Sequence, residues 1–258
     1  MVMRILRRPF HNMVKRLGYT VTKNRSNRSG IHYDMDESFG PIYEATRHIT
    51  TSSIDRMYAL YLATHYISRS KIPGDIVECG VWQGGSSMIA ALTLLECEDR
   101  DRKLWLYDTY AGQPEPGETD FQANDGSDPH RRWAETQHGE VNDWAFVPIE
   151  KVKANMLGTG YPEENLALIK GDVEKTIPGD APETIALLRL DTDWKSSIYH
   201  ELEHLYPRLS PGGVLIIDSY GWWTGCREAT DQYLAENKTQ ILLNRIDEAG
   251  RIGIKPWI

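Results

Sequence analysis

Five acidic residues, Glu78, Asp108, Asp172, Asp191 and Asp218, each end or closely follow a short apolar run, and Asp193 lies two positions beyond Asp191. Runs of that length and make-up read as strands, and in open α/β sheets ligands bind outside the carboxyl ends of the strands. A single acid at such a place is usually a helix cap or a turn former. Five together are poorly explained that way. Carboxylates collected at one edge can accept hydrogen bonds from hydroxyls, hold a cation, or take a proton from a substrate.

The segment Glu78-Cys79-Gly80-Val81-Trp82-Gln83-Gly84-Gly85-Ser86 reads as a strand end, a glycine turn and a helix start, a loop that admits close ligand approach. A dinucleotide site calls for Gly-x-Gly-x-x-Gly, so that a pyrophosphate can rest on the helix N-terminus. Here the spacing differs, which disfavours a nicotinamide oxidoreductase. Glu78 repels a phosphate and welcomes an ammonium, which points to the amino-acid end of S-adenosylmethionine. Gly80, Gly84 and Ser86 join Glu78 as candidate cofactor contacts. Asp108 is placed to accept from ribose hydroxyls and Asp172 to meet the adenine amino group.

The elements that must position these residues follow from hydrophobic periodicity. Asp75–Cys79, Leu104–Asp108, Leu166–Ile169, Ile185–Leu190 and Gly213–Asp218 are predicted strands. A helix is expected from about Ser86 to Leu95. Gln240–Ile246 and Ile252–Lys255 are predicted to form a terminal antiparallel pair. Strands alternating with helices imply an α/β fold, a mostly parallel sheet with helices on both faces. A helical cap over residues 32–73 precedes it, with Thr51-Ser52-Ser53 offering N-cap oxygens. Residues 111–147, rich in Gly, Pro, Asp, His and Trp without clear periodicity, are too long for a plain connection and are expected to form a mobile flap over the site. Trp133 and Trp144 in it, and Trp222-Trp223 after Asp218, offer aromatic faces to an acceptor.

Composition bounds the partners. At 258 residues the chain suits one α/β domain over residues 32–258, and a formal charge of −8 argues against nucleic acid as the main partner. No apolar run is long enough to cross a membrane. Cys79, Cys97 and Cys226 lie far apart, which suits a reducing cytosol and hence a cytoplasmic protein. A basic leader, residues 1–31, carries eight Lys and Arg before the first acid, Asp34. Residues 4–17 within it can form an amphipathic helix that touches a membrane surface or a second subunit. Together with the helical cap this gives an expectation of a homo-oligomer. His200-Glu201-Leu202-Glu203-His204 matches a zinc-protease pattern literally, but Pro207 ends the helix soon after, and the histidines read better as ordinary helix residues.

The stretch Gly74 to Ser86 resembles the first motif of the macrocin O-methyltransferase family. Asp108-Thr109-Tyr110-Ala111-Gly112, Leu190-Asp191-Thr192-Asp193-Trp194, the stretch Glu201 to Leu209 and Gly212 to Gly221 are similar to further family segments in the same order. The resemblance implies a Rossmann-like class I methyltransferase sheet with an antiparallel last strand. It also implies S-adenosylmethionine, usually Mg²⁺, and a sugar hydroxyl on a small-molecule glycoside as acceptor, within natural-product biosynthesis. By position, Asp191 and Asp218 become metal ligands and Asp193 the general base. Residues i and i+2 at an extended strand end point to one side and can share one hydroxyl, which agrees with that assignment. Where the family commonly has a second aspartate, this chain has Ser219, a neutral and weaker ligand. Two competing readings share the sheet: a catechol-type or other alcohol O-methyltransferase, and a cofactor-binding protein without catalysis.

Overall fold

The computed structural model describes residues 31–257. The basic leader and its expected helix lie outside the described residues. One compact unit ends at Gly40 and a second begins at Pro41. In chain order the elements are α1 (Phe39–Thr46), α2 (Ile54–Arg69), β1 (Asp75–Cys79), α3 (Gly85–Glu96) and β2 (Leu104–Asp108). There follow α4 (His130–Thr136), β3 (Gln137–His138), β4 (Val141–Asn142), α5 (Ile149–Leu157), β5 (Leu166–Lys170) and α6 (Val173–Thr176). The chain ends with β6 (Ile185–Leu190), α7 (Lys195–Leu205), β7 (Leu209–Ile217), α8 (Thr224–Glu236), β8 (Asn244–Arg245) and β9 (Arg251–Ile254).

The main sheet runs β5-β2-β1-β6-β7-β9-β8, parallel from β5 to β7 and antiparallel at β9 and β8. Its central strand β6 is buried at every position, as expected for a strand covered on both faces. Two-residue alternation sorts the faces. Val77, Cys79, Leu188, Leu190, Leu215 and Ile217 share a core with Trp194, Ile198, Leu202 and Leu205 of the α7 region and Cys226, Ala229 and Tyr233 of α8. Glu78 and Arg189 therefore face the other way, towards α2 and α3, and the hydroxyl of Ser87 in α3 reaches Glu78. The sheet lies between two helical layers. Ser53 caps α2, its side chain accepting from Arg56 N at 3.2 Å, an arrangement worth about 1 kcal/mol.

Residues 111–147 carry more structure than their composition suggests: α4 and a short β3–β4 hairpin, held by side chains that serve the backbone. Asn142, almost fully buried, accepts from Thr136 Oγ1 and Trp144 N and donates to Trp133 O and Gln137 Oε1. Asp120 accepts from Gly117 N at 2.7 Å and from Lys195 N at 3.0 Å, tying the segment to the start of α7. Gly112 at φ +92° passes so near Asn142 that a Cβ would stand 1.7 Å from its carbonyl oxygen. Pattern periodicity misses such a segment because side-chain to backbone bonds, not a buried stripe, order it. Among the described residues no helix is long and apolar enough to cross a membrane.

Candidate active site

The register brings the charged groups together. Glu78 of β1 stands beside Arg189 of β6, and Arg189 beside Ile216 of β7. Asp191 and Asp218 follow two residues after Arg189 and Ile216, so all four charged side chains reach the α2 and α3 side of the sheet. Arg189 donates to Glu78 Oε1 at 2.5 Å, to Asp191 Oδ2 at 2.8 Å and to Asp218 Oδ1 at 2.7 Å. The other oxygen of Asp218 receives Arg56 Nη1, and Arg56 Nε donates to Asp247 Oδ2 at 3.0 Å. A charge buried within a strand persists only with partners of this kind. Burial raises the Glu78 carboxyl above its ordinary range, against the pull of Arg189 and Ser87. Asp191 is pushed further, by burial and then by the neighbouring Asp218 carboxylate.

Asp193 sits just past this cluster, in the left-handed region at φ +73°, which aspartate tolerates better than most residues. It reaches its neighbours through a turn and not by strand alternation, which corrects the geometric half of the i, i+2 expectation. Gln113 Nε2 donates to its Oδ2 at 2.6 Å, and Ser219 Oγ lies 2.6 Å from its Oδ1 and 3.0 Å from Asp191 Oδ1. Burial lifts the Asp193 carboxyl to about 6, though the bonds from Ser219 and Gln113 oppose the shift. Beneath the turn, Thr192 donates to the buried Glu201 at 2.9 Å; burial raises Glu201 well above the carboxylate range.

A cavity of about 630 Å³ opens at the carboxyl ends of the strands. Asp191, Asp193, Asp218, Ser219 and Arg56 line one side; Gly80, Trp82, Asp108, Gly171 and Asp172 line another. Gln113, Arg132 and Trp144 reach it from the 111–147 segment, so that segment does border the site. On the second wall the acids are tied down by backbone. Asp108 accepts from Val81 N at 2.7 Å, Trp82 N at 2.9 Å and Tyr110 N at 2.8 Å, and Asp172 caps α6 by accepting from Glu174 N at 3.0 Å. Glu78, Gly84 and Ser86 do not line the cavity. Glu78 lies behind the wall with Arg189, and a Cβ on Gly84 would meet Val152 at 3.3 Å. Gly80 is required by the chain itself, since a Cβ there would stand 2.2 Å from the Asp191 carbonyl oxygen. Trp223 is buried, edge-on to Trp194 at 4.9 Å and tilted against Trp144 at 6.1 Å, whereas Trp222 is exposed.

The wall suits a positively charged ligand. Seven Asp and Glu line the cavity against two Arg, a balance that attracts a sulfonium or ammonium group and repels a pyrophosphate. S-Adenosylmethionine fits that donor set, and the cavity falls within the roughly 300–1,000 Å³ of small-ligand sites. Mg²⁺ fits less well. Both oxygens of Asp218 are held by guanidinium groups, and those of Asp191 by Arg189 and Ser219. Among the described residues no group of three or more His, Cys, Asp or Glu is arranged to hold a metal ion. The expected Mg²⁺ on Asp191, Asp218 and Ser219 is therefore not supported by this arrangement. The His200–His204 pair is equally committed to structure, with His200 Nε2 2.9 Å from Ile177 O.

Arg56, Arg189, Asp247 and Gln113 were not singled out from sequence. Arg189 alone carried a signal, as a charge inside the apolar run Ile185–Leu190.

The model of the macrocin-O-methyltransferase (TylF) family matches residues 24–252. Over 201 residues the chain is 33% identical to the Streptomyces olivaceus 8-demethyl-8-(2,3-dimethoxy-alpha-L-rhamnosyl)-tetracenomycin-C 4'-O-methyltransferase, covering 78% of this chain and 73% of that protein. It is 30% identical over 213 residues to the Micromonospora griseorubida mycinamicin III 3''-O-methyltransferase, covering 82% and 80%. Among solved structures, the O-methyltransferase NovP superposes with a TM-score of 0.70 at 30% identity, over 81% of this chain and 83% of that one.

Proposed function

The chain belongs to the macrocin-O-methyltransferase family, and from that premise we propose that it methylates a sugar hydroxyl of a small-molecule glycoside, with Asp193 as general base. It is an S-adenosylmethionine-dependent O-methyltransferase with the class I methyltransferase fold. The two relatives are named for methylating a rhamnosyl-tetracenomycin at its 4' position and mycinamicin III at its 3'' position, which supports a glycoside as the acceptor class of this chain.

The observation that carries the Asp193 assignment is its setting. It is a carboxylate on the cavity wall, fixed by Gln113 and Ser219, with its pKa lifted to about 6. A base with a pKa near working pH combines a sizeable unprotonated fraction with useful proton affinity. When bound, S-adenosylmethionine supplies a methyl group whose bond to sulfur breaks as the bond to the acceptor oxygen forms. Asp193 takes the hydroxyl proton as that oxygen becomes the nucleophile. Asp108 holds the Val81–Trp82 loop against the cofactor wall, and Asp172 extends that wall. Trp144 and Trp223 add apolar faces to the cavity lining, and exposed Trp222 offers a face for the sugar ring.

The test is calorimetric binding of S-adenosylhomocysteine, followed by a screen of deoxysugar glycosides for methyl transfer. Binding together with transfer to a sugar hydroxyl upholds the reading. Binding with transfer only to catechols or simple alcohols moves the acceptor class, and absence of binding removes the cofactor assignment.

A further inference from the structure

The carboxylates placed by family resemblance as cation ligands already have positive charge beside them, supplied by the chain. Arg56 rises from the first turn of α2, and three contacts fix it. Its Nε holds Asp247, its Nη1 holds Asp218, and its stem packs so close to Gly250 that a Cβ there would stand 2.9 Å from Arg56 Cδ. Asp247 is itself anchored by Ser53 Oγ at 2.6 Å, Ala249 N at 2.9 Å and Gly250 N at 2.7 Å. Among the described residues Nη2 makes no hydrogen bond, and Arg56 lines the cavity beside Asp191, Asp218 and Ser219. On the opposite side of Asp218 stands Arg189.

We propose that the Arg56 guanidinium, backed by Arg189, takes the place of a divalent cation in this enzyme, so that methyl transfer proceeds without bound metal. The proposal rests on the acceptor being a hydroxyl, as read above. A metal ion on the same oxygens would have to displace guanidinium donors and sit against two fixed positive charges. Ser219 belongs to the same substitution. A neutral hydroxyl at that position removes one anionic ligand and bridges Asp191 to Asp193. In the transfer, the acceptor proton passes to Asp193, the oxygen–methyl bond forms, and the methyl–sulfur bond breaks to leave a neutral thioether. Arg56 gives up no proton. Its free N–H groups donate to the acceptor oxygen as negative charge builds there, the task a cation would otherwise perform.

The experiment combines metal binding with kinetics on the full-length protein. MgCl₂ titrated calorimetrically into wild type should give no binding isotherm, whereas the double variant Arg56→Ala, Ser219→Asp should gain one. EDTA should leave the wild-type methylation rate within about twofold, as for a site without a required ion. Arg56→Ala should lower kcat by about 100-fold or more, the usual loss for one donor to a developing oxyanion. S-Adenosylhomocysteine affinity should be kept, and added guanidinium should restore part of the rate. A folding defect would not respond to guanidinium. Saturable Mg²⁺ binding by wild type, EDTA inactivation reversed by Mg²⁺, or an unchanged kcat in Arg56→Ala would each overturn the proposal. If wild type fails to bind S-adenosylhomocysteine, the functional reading fails, while the two Mg²⁺ titrations still decide the role of Arg56.

Discussion

Two walls of one cavity use the same residue type differently. On the β6–β7 side, Asp191 and Asp218 share guanidinium groups, and their energetics depend on charge compensation. On the β1–β2–β5 side, Asp108 and Asp172 accept backbone N–H bonds and shape loops. A carboxylate at a strand end is thus either part of an ionic network or a clamp on the main chain. Which role it takes is decided by whether a guanidinium lies within reach: Arg189 stands two residues before Asp191 on β6, and Arg56 reaches Asp218 from α2. Arg189 beside Glu78 creates the first kind of wall; the turns after β2 and β5 create the second.

The contrast breaks most visibly at Arg189. Arg189→Met leaves buried Glu78 and Asp218, and half-buried Asp191, with less compensation, and the expected loss is about 3–5 kcal/mol in urea unfolding. A loss below about 1 kcal/mol would show the network to be surface-like in its energetics. Asp193→Asn comes next. It should lower kcat about 100-fold or more while sparing S-adenosylhomocysteine affinity, since it removes proton acceptance and keeps the shape. With Asp193 as the base proposed above, its unprotonated form is the active one, so the rate should fall as pH drops through about 6, and that limb should vanish in the variant. Asp108→Ala probes the other wall. Losing its three backbone bonds should loosen the Val81–Trp82 turn and weaken S-adenosylhomocysteine binding about tenfold, roughly 1.4 kcal/mol, with little change in kcat.

The parts of this architecture that sequence makes legible are those set by local pattern. The bounds of β1, β2 and β6 match the predicted Asp75–Cys79, Leu104–Asp108 and Ile185–Leu190, because each is an apolar run between turn formers. β7 starts at Leu209 and not at Gly213, since pairing rescues a stretch that lacks strand character. Gly212 N donates to Lys255 O and Lys255 N to Gly213 O, both at 2.8 Å, while Pro211 stays exposed. The strand-end acids were legible as a set, but their division into two walls was not. Partners that help decide it lie far off in the chain, Arg189 111 positions from Glu78 and Arg56 162 from Asp218. Nothing in local periodicity reports such a pairing.

Asp172 gives the smallest and sharpest test of the contrast, because it lines the cavity and caps a helix at once. If it works only as a clamp, Asp172→Asn should be nearly silent, since asparagine caps as well as aspartate, and Asp172→Ala should cost no more than about 1 kcal/mol. The cost is kept low by α6 having a single turn and by the exposure of the Glu174 N bond. If it also meets the adenine amino group, Asp172→Asn should preserve stability yet weaken S-adenosylhomocysteine binding by several-fold, because the amide oxygen accepts less strongly than a carboxylate. A variant equal to wild type in both melting and binding would make Asp172 a capping residue alone. Recognition of the adenine amino group would then fall to other atoms of that wall.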